Sequence, residues 1–364
     1  MTFLSSLASA LGLRTTTQVR SPWREEGILE HVTFEALYGD VAEVYVSRDR
    51  SMRLPVVSKA RRAACVTVGR LPLSAVRPNG SRWPVGTFPI LEQPEEGTPL
   101  SNTLAWTIDA LIFQPYVFWQ ITARDANGWP VRVRLVPPSE ADTNEAGELV
   151  KAFGEKVTLG FIRFDGLGSG LLRDGGDTIR RAMILNRVAA LAESNPVPSI
   201  ELHNEGDDIG DEAIDSLIER WMHKRKTGNV AYTSKSLKVH THGQQPEQLL
   251  IDARKRIDLE LARHTGAPAW VTDTPVEGQS LTYANRASRN WELIDLFLTE
   301  YMTVIEDRLS MGDVTPRGTT VKFLTDELTR DDQKTRFETY GIGKKHSFIT
   351  DAWIAEQEGW EARA

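Results

Sequence analysis

The sequence almost entirely lacks cysteine: Cys65 is the single thiol in 364 residues. One cysteine cannot form a disulfide or a cysteine zinc site within one chain. Cys65 lies in the apolar run 63–68, which predicts a buried small hydrophobic side chain and not a reactive thiol. Disulfide-stabilised domains and cysteine zinc modules are therefore excluded as classes.

Positive charge is also scarce. The chain has 43 lysines and arginines against 50 aspartates and glutamates, which gives a net charge of −7. Tight non-specific binding of nucleic acid needs cations that release counterions from several phosphates. We therefore expect no tight phosphate binding, although an acidic surface can still border a nucleic acid that passes it.

Long hydrophobic runs are missing too, since none approaches the ~18–20 residues of a membrane span. The N-terminal residues 1–13 are apolar but have no basic residue ahead of them, unlike a secretion signal. We interpret residues 1–26 as an amphipathic segment followed by a polar linker, an N-terminal arm. We expect a soluble protein of cytoplasmic origin with no membrane partner.

Catalytic motifs are also missing: the sequence shows no Ser/His/Asp set, nucleophile elbow or H-E-x-x-H. The turn Gly166-Leu-Gly168-Ser-Gly170 lies between a predicted strand and a predicted helix, where a dinucleotide-binding turn would lie. Its third glycine comes too early for G-x-G-x-x-G, and no Lys-Ser or Lys-Thr follows. We expect no catalytic residue and no cofactor, and keep a nucleotide-binding enzyme using this turn as an alternative.

Two clusters have residue types that bind metals. His240 and His242 alternate on one predicted strand and so share a face, but no third ligand is near in sequence, which favours a solvated strand face. The acidic stretch lacks the spacing of a calcium loop and is typical of a solvated loop. Its members are Glu205, Asp207, Asp208, Asp211 and Glu212. We predict no metal site.

The pattern of apolar residues and turns predicts an α+β protein. Asn127-Gly128 between two alternating segments is a strong hairpin signal, because both residues tolerate positive φ. Helix and strand periodicities give the other elements. We predict helices near 58–69, 103–114, 177–193, 247–264 and 280–309, strands at 117–122, 131–136, 157–164, 229–233, 237–241 and 320–324, a helix at 211–224 and two short C-terminal helices.

The long helix carries apolar residues on more of its circumference than the ~100° of an ordinary surface helix. Either the core of a single chain or a second subunit could cover this width. Periodicity alone leaves both open. The residues of the stripe are Trp291, Ile294, Leu298, Met302 and Ile305.

The order of several short motifs resembles the portal protein of tailed double-stranded DNA bacteriophages, of the type found in long-tailed siphophages. The resemblance extends from about Ser47 to Trp360, and Gln114-Pro115-Tyr116 departs from it. The matching segments are Leu54-Pro55-Val56-Val57, Leu71-Pro72-Leu73, the hairpin turn 124–130, Leu135-Val136-Pro137-Pro138, the glycine turn 165–169, Gly266-Ala267-Pro268, Leu281-Thr282-Tyr283-Ala284-Asn285 and residues 323–331.

The resemblance implies a portal fold with a mixed α/β wing, a two-helix stem, a small α/β clip, a long tunnel helix and a short helical crown. The implied boundaries are an arm at 1–26, wing at 27–175, stem helices at 176–195 and 246–266, clip at 196–245, tunnel loop at 267–282, tunnel helix with closing wing strand at 283–325, and crown at 326–364.

It also implies a ring, usually of twelve subunits, at one capsid vertex, through which double-stranded DNA enters and leaves without sequence preference. The implied partners are further copies of the chain, the major capsid protein, the terminase large subunit, and head-completion or tail connector proteins. The location would be the virion after assembly in the host cytoplasm. An assembly adaptor that forms no ring is a second alternative.

Three groups of site residues follow from the resemblance. The apolar stripe of the long helix would pack partly against a neighbouring subunit, through Trp291, Ile294, Leu298, Met302 and Ile305. The tunnel loop would line the DNA channel, and the clip would dock the terminase or connector. The channel residues are Thr272, Asp273, Thr274, Glu277, Gln279 and Ser280, and the docking residues are Trp221, His223, Lys224, Arg225 and Lys226.

Overall fold

The computed structural model describes residues 19, 21–23, 45–194, 199–204, 210, 212, 214–216, 218–219, 237–242, 247–274, 286–330, 333–358 and 360. The chain forms two compact units: Met1–Arg180 with Asp258–Ala364, and Arg181–Ile257. Among the described residues, no helix is both long enough and apolar enough to cross a membrane.

The first unit begins with helices α1 (Arg48–Ser51) and α2 (Pro55–Gly69) and strand β1 (Leu73–Val76). Helix α3 (Leu100–Phe113) follows a short 3-10 turn at Pro89–Leu91. Proline at the first position of α2 has no N–H to leave unpaired, so it is compatible with a helix start. Gly69 lets α2 approach α3, because a Cβ there would lie 2.8 Å from the carbonyl oxygen of Ser101.

The predicted hairpin is confirmed as strands β2 (Tyr116–Arg124) and β3 (Pro130–Val136). The side chain of Asp125 closes the turn by accepting hydrogen bonds from the amides of Asn127 at 2.9 Å and Trp129 at 2.8 Å. Gly128 takes a φ of +85°, which is why a glycine suits this position.

A small meander follows, which sequence reasoning did not predict. Strands β4 (Ala141–Thr143), β5 (Leu149–Ala152) and β6 (Glu155–Lys156) form an antiparallel sheet. Leu149 and Ala152 pack with Phe118 and Val136 in one hydrophobic cluster, so the meander covers one face of the larger sheet.

Strand β7 (Phe161–Asp165) completes that larger sheet, whose order is β3-β2-β7. The central strand β2 pairs antiparallel with both β3 and β7. Strand β7 begins later than the predicted strand 157–164. Trp119 of β2 is fully buried, its ring centroid lies 4.8 Å from that of Phe164, and its Nε1 donates to Thr107 Oγ1 of α3 at 2.9 Å. These contacts join helix α3 to the sheet around one aromatic core.

After the glycine turn come helices α4 (Leu171–Asp174) and α5 (Gly176–Ser194). Within the second unit, strands β8 (Ser199–Asn204) and β9 (Leu237–His242) pair antiparallel, with His240 opposite Glu201 and His242 opposite Ser199. Helix α6 (Glu247–Thr265) then leads to the short α7 (Ala269–Thr272). The predicted strand 229–233 lies outside the described residues.

The predicted long helix is present but is not uniform. It consists of α8 (Arg286–Leu293), a π-helical turn at Ile294–Leu298, and α9 (Thr299–Leu309). In the π turn the carbonyl of Ile294 accepts from the amide of Thr299, five residues on, and from the Thr299 hydroxyl at 2.7 Å. This wider turn changes which residues face outward on either side of it.

Strand β10 (Thr320–Phe323) pairs antiparallel with β1, so the last strand of the first unit lies beside its first strand. The C-terminal helices are α10 (Asp326–Thr329), α11 (Gln333–Lys345) and α12 (Asp351–Glu358). The α+β class predicted from sequence is thereby confirmed.

Candidate subunit interface and channel loop

The glycine turn between β7 and α4 is packed against the protein's own backbone. The amide of Gly166 donates to the carbonyl of Pro115 at 2.8 Å. Gly170 has a φ of +83°, and a Cβ there would lie 2.7 Å from the carbonyl oxygen of Phe113. The turn therefore redirects the chain from strand to helix at a point where no side chain fits.

The surroundings of this turn do not suit a phosphate. A Cβ built on Gly168 would lie 3.5 Å from Oε1 of Glu300, so a carboxylate borders the turn. Partial burial raises the pKa of Glu300. The preceding strand β7 pairs only antiparallel, whereas the dinucleotide-binding turn belongs to a parallel β-α-β unit. The geometry argues against the nucleotide-binding alternative.

The first half of the predicted channel loop is ordered by internal contacts. The hydroxyls of Thr272 and Thr274 are buried, lie 2.7 Å apart, and Thr272 Oγ1 donates to the carbonyl of Ala269 at 3.2 Å. Between them Asp273 has a φ of +55° and an exposed side chain, which pairs with Lys59 of α2. In a single chain, only Asp273 of these three presents its side chain to solvent.

The other three predicted channel residues, Glu277, Gln279 and Ser280, lie outside the described residues. So do all five predicted docking residues: Trp221, His223, Lys224, Arg225 and Lys226. Both roles stay predictions.

A link between α7 and the long helix was missed by sequence reasoning. Trp270 Nε1 donates to Glu292 Oε2 at 3.2 Å, and the guanidinium carbon of Arg289 lies 5.8 Å from the Trp270 ring centroid. These contacts attach the start of the channel loop to α8. The tryptophan near the start of the loop was the available signal.

The stripe predicted for subunit packing is mostly covered by the chain itself. Ile294, Leu298, Met302 and Ile305 are all buried, because α9 packs against β7 and β10 and the π turn contacts α2. The assignment of these four side chains to a contact between subunits therefore needs correction. Trp291, at 50% exposure, is the one member of the stripe that remains open to solvent.

The long helix nonetheless keeps an uncovered apolar residue that lies off the stripe. Leu296, in the π turn, is 68% exposed. The width of the apolar face predicted for this helix was the available signal. The large apolar side chains that this helix exposes in its described part are therefore Trp291 and Leu296.

Cys65 is buried, as predicted, and burial raises the pKa of its thiol to about 12. The thiol is therefore protonated at neutral pH and serves as a small apolar side chain. It takes no part in the candidate sites.

Comparisons with known proteins bear on the fold and the family. The chain resembles the crystal structure of an HK97 family phage portal protein from Corynebacterium diphtheriae, with 26% identity, a TM-score of 0.61, and coverage of 78% of this chain and 98% of that chain. None of the curated protein sequences matches.

Two structures of gene transfer agent (GTA) particles share the fold at lower identity. The neck of an empty GTA particle computed with C6 symmetry has a TM-score of 0.61 at 14% identity, covering 86% of this chain and 94% of that one. The neck of a native particle computed with C12 symmetry has a TM-score of 0.60 at 13% identity, covering 92% and 99%.

The family model described as phage portal protein matches residues 55–359. The matched region starts at the first residue of α2 and extends past the end of α12, so it includes every sheet described above. The motif order read from the sequence gave the same resemblance. This chain belongs to the phage portal protein family.

Proposed function

We propose that copies of this chain form a ring at one vertex of a phage capsid, and that double-stranded DNA passes through the ring during packaging and ejection. The observation that carries this proposal is the match of the portal family model to residues 55–359. The similar neck structure computed with C12 symmetry supports a ring of twelve copies.

The channel would be lined in part by the loop 267–282, the tunnel loop. Asp273 is exposed there, and Glu277 adds a second acid in the same loop. A wall that bound DNA through many cations would hold it with a steep salt-dependent affinity and hinder sliding. Acidic and neutral side chains instead allow the duplex to move.

The remaining segments would have the roles that the portal resemblance gives them. Residues 27–175 would form the wing, 176–195 and 246–266 the stem, 283–325 the tunnel helix with a closing wing strand, and 326–364 the crown. The clip, 196–245, would dock the terminase large subunit and later the head-completion or tail connector proteins. Its docking residues would be Trp221, His223, Lys224, Arg225 and Lys226.

The ring would also contact the major capsid protein and would supply a passage without catalysing a reaction. The motor that hydrolyses nucleotide would be the separate terminase, and the carboxylate of Glu300 beside the glycine turn agrees with this assignment. Assembly in the host cytoplasm would precede incorporation into the virion.

Light scattering and electron microscopy of the purified chain test the ring. We expect closed rings with an axial hole and a mass near twelve chains. A particle that stays monomeric, even with capsid protein present, would instead favour a non-ring assembly adaptor.

The variant Asp273→Lys/Glu277→Lys tests the channel. Its rings are assembled into capsids, and the DNA protected from nuclease is measured. We expect normal rings that package less DNA.

A further inference from the structure

The exposed side of the long helix carries charge of one sign. No lysine or arginine occurs between Arg289 and Arg308. The exposed side chains there follow one another at helical spacing around Leu296. We call this set the acidic face: Glu292, Asp295, Leu296, Glu300 and Asp307.

Most of these carboxylates are not neutralised by the residues that the structure describes. Within the part of the chain that the structure describes, Asp295, Glu300 and Asp307 form no salt bridge. Glu292 has a neutral partner, the indole of Trp270. An apolar side chain with 68% exposure thus lies among unpaired negative charges.

Helix α2 has the opposite character. No aspartate or glutamate occurs between Asp49 and Glu92, a stretch that contains eight lysines and arginines. On the outer side of α2, Arg62, Val66 and Arg70 follow at four-residue spacing, so they share one side of the helix. We call these three residues the basic face.

The arginines of the basic face likewise have no ion-pair partner among the described residues. Lys59 and Arg61 of the same helix have internal partners in Asp273 and Asp109. In contrast, Arg62 and Arg70 are exposed and form no ion pair with any described residue. Val66 between them is 61% exposed. The basic face therefore mirrors the acidic face: an open aliphatic side chain flanked by uncompensated charge.

We propose that the acidic face of one copy of this chain docks on the basic face of the next copy, with Leu296 and Val66 at the centre of the contact. This inference rests on the proposed ring and identifies a contact that builds it. Two different patches of the same chain that fit each other make a head-to-tail contact, the kind that closes into rings.

The alternative occupant of the basic face is nucleic acid. Two unpaired arginines separated by an exposed valine provide few phosphate contacts, and an acidic face of similar character would repel DNA. A second copy satisfies both faces at once and removes both aliphatic side chains from water. Complementary charge around such a contact mainly fixes the register and the rate of association.

Charge reversal tests the contact. One variant carries Asp295→Lys/Glu300→Lys, the second Arg62→Glu/Arg70→Glu, and the third all four substitutions. We expect each double variant to raise the protein concentration at half-assembly about 10-fold or more, since like charges then face each other at the centre of the contact, around Leu296 and Val66. The four-fold variant restores opposite charges and should assemble nearly as wild type does.

Mixing separates a lost contact from a misfolded chain. In one double variant the positions that flank Leu296 on the acidic face become basic, and in the other the basic face becomes acidic, so an equal mixture should form rings that alternate the two chains. The matched control is Glu145→Lys/Lys156→Glu, two exposed reversals around the meander, which should leave assembly unchanged.

The outcomes distinguish the two proposals. If the wild-type chain forms no ring, the proposed function and this contact both fail. If the wild type and both double variants form rings alike, only the contact is overturned. Loss of DNA retention by Arg62→Glu/Arg70→Glu with unchanged rings would also overturn it, and would assign the basic face to nucleic acid.

Discussion

The carboxylate of Asp109 accepts two hydrogen bonds from the guanidinium of Arg48, Nε to Oδ1 and Nη2 to Oδ2, both at 2.7 Å. Asp109 is fully buried in α3, and Arg61 of α2 donates to its Oδ2 at 2.6 Å. Arg48 also lies 4.4 Å from the ring centroid of Trp23. One buried charge thus joins α1, α2 and α3.

Removing that charge should be costly. Asp109→Ala leaves two partly buried arginines without their partner, so we expect the free energy of unfolding to fall by ~3–5 kcal/mol. Asp142→Ala is the matched control, since its ion pair with Lys151 spans 3.9 Å between exposed side chains and should contribute under ~1 kcal/mol. Urea unfolding of both variants measures the difference, and equal losses would show that the buried cluster does not stabilise these helices.

Gly170 and Gly80 offer a matched pair for the glycine turn. Their φ angles are +83° and +82°, but a Cβ at Gly80 meets nothing within 4 Å, while one at Gly170 lies 2.7 Å from the Phe113 carbonyl oxygen. Both alanine variants acquire the strain of positive φ, and Gly170→Ala adds a clash of roughly 1–3 kcal/mol. Thermal unfolding compares them. A Gly170→Ala loss no greater than that of Gly80→Ala would contradict the tight turn.

The parts of the fold predicted correctly from sequence are those governed by local chemistry. Asn127-Gly128 sets the hairpin by itself, and the three- and four-residue spacing of Val57, Ala60, Ala64 and Val68 defines α2. The meander was missed because strands of two to four residues are too short to show alternation. The sequence of the polar stretch 141–156 is typical of a loop.

The candidate interface could be predicted only in part, for a different reason. Periodicity shows that the long helix is apolar on a wide face, but not which part the chain covers itself. The π turn contacts α2 and shifts the outward positions, so Leu298 is fully buried and Leu296 is 68% exposed. The family was identified from the order of the motifs, which depends neither on which part of the long helix is covered nor on the π turn.

The C-terminal helices should lose stability in acid through Glu358. Arg336 donates to both its oxygens at 3.0 Å, and Tyr340 and Arg330 also bind it, which lowers the pKa of Glu358 to about 2 from an ordinary 4.5. Because the pKa of Glu358 is lower in the folded state, its ionised carboxylate stabilises the fold fully above pH 4.5. This stabilisation is lost as pH falls from 4.5 towards 2.

Comparison of the wild type with Glu358→Gln isolates this effect. We expect the variant to melt at a lower temperature than the wild type at pH 7, and the difference to shrink as pH falls below 4.5. Other carboxylates titrate equally in both proteins, so they cancel. A difference that stays constant from pH 7 to pH 3 would show that the glutamate contributes no charge-dependent stability.

The outer edge of β10 is protected by side chains of the long helix. Ser310 Oγ accepts from the amide of Val321 at 2.8 Å, and Glu306 Oε1 accepts from the amide of Phe323 at 2.9 Å. Ser310→Ala removes one acceptor, so the Val321 amide should exchange with solvent faster and the free energy of unfolding should fall by ~1–3 kcal/mol. Glu306→Gln keeps an oxygen in place and should preserve protection of the Phe323 amide. Hydrogen exchange read residue by residue decides both.

Leu298 and Leu296 should respond oppositely to truncation, although two positions separate them. Leu298 is fully buried, so Leu298→Ala should cost ~2–5 kcal/mol of unfolding free energy through lost contacts and a cavity. Leu296 is 68% exposed, and Leu296→Ser should change the stability of the isolated chain by no more than ~0.5 kcal/mol. Unfolding is measured at protein concentrations below assembly, and half-assembly is measured separately. Leu296→Ser should weaken assembly without weakening the fold. If Leu298→Ala instead left unfolding unchanged and weakened assembly alone, the side chain of Leu298 would face a neighbour and the covered stripe would belong to the ring.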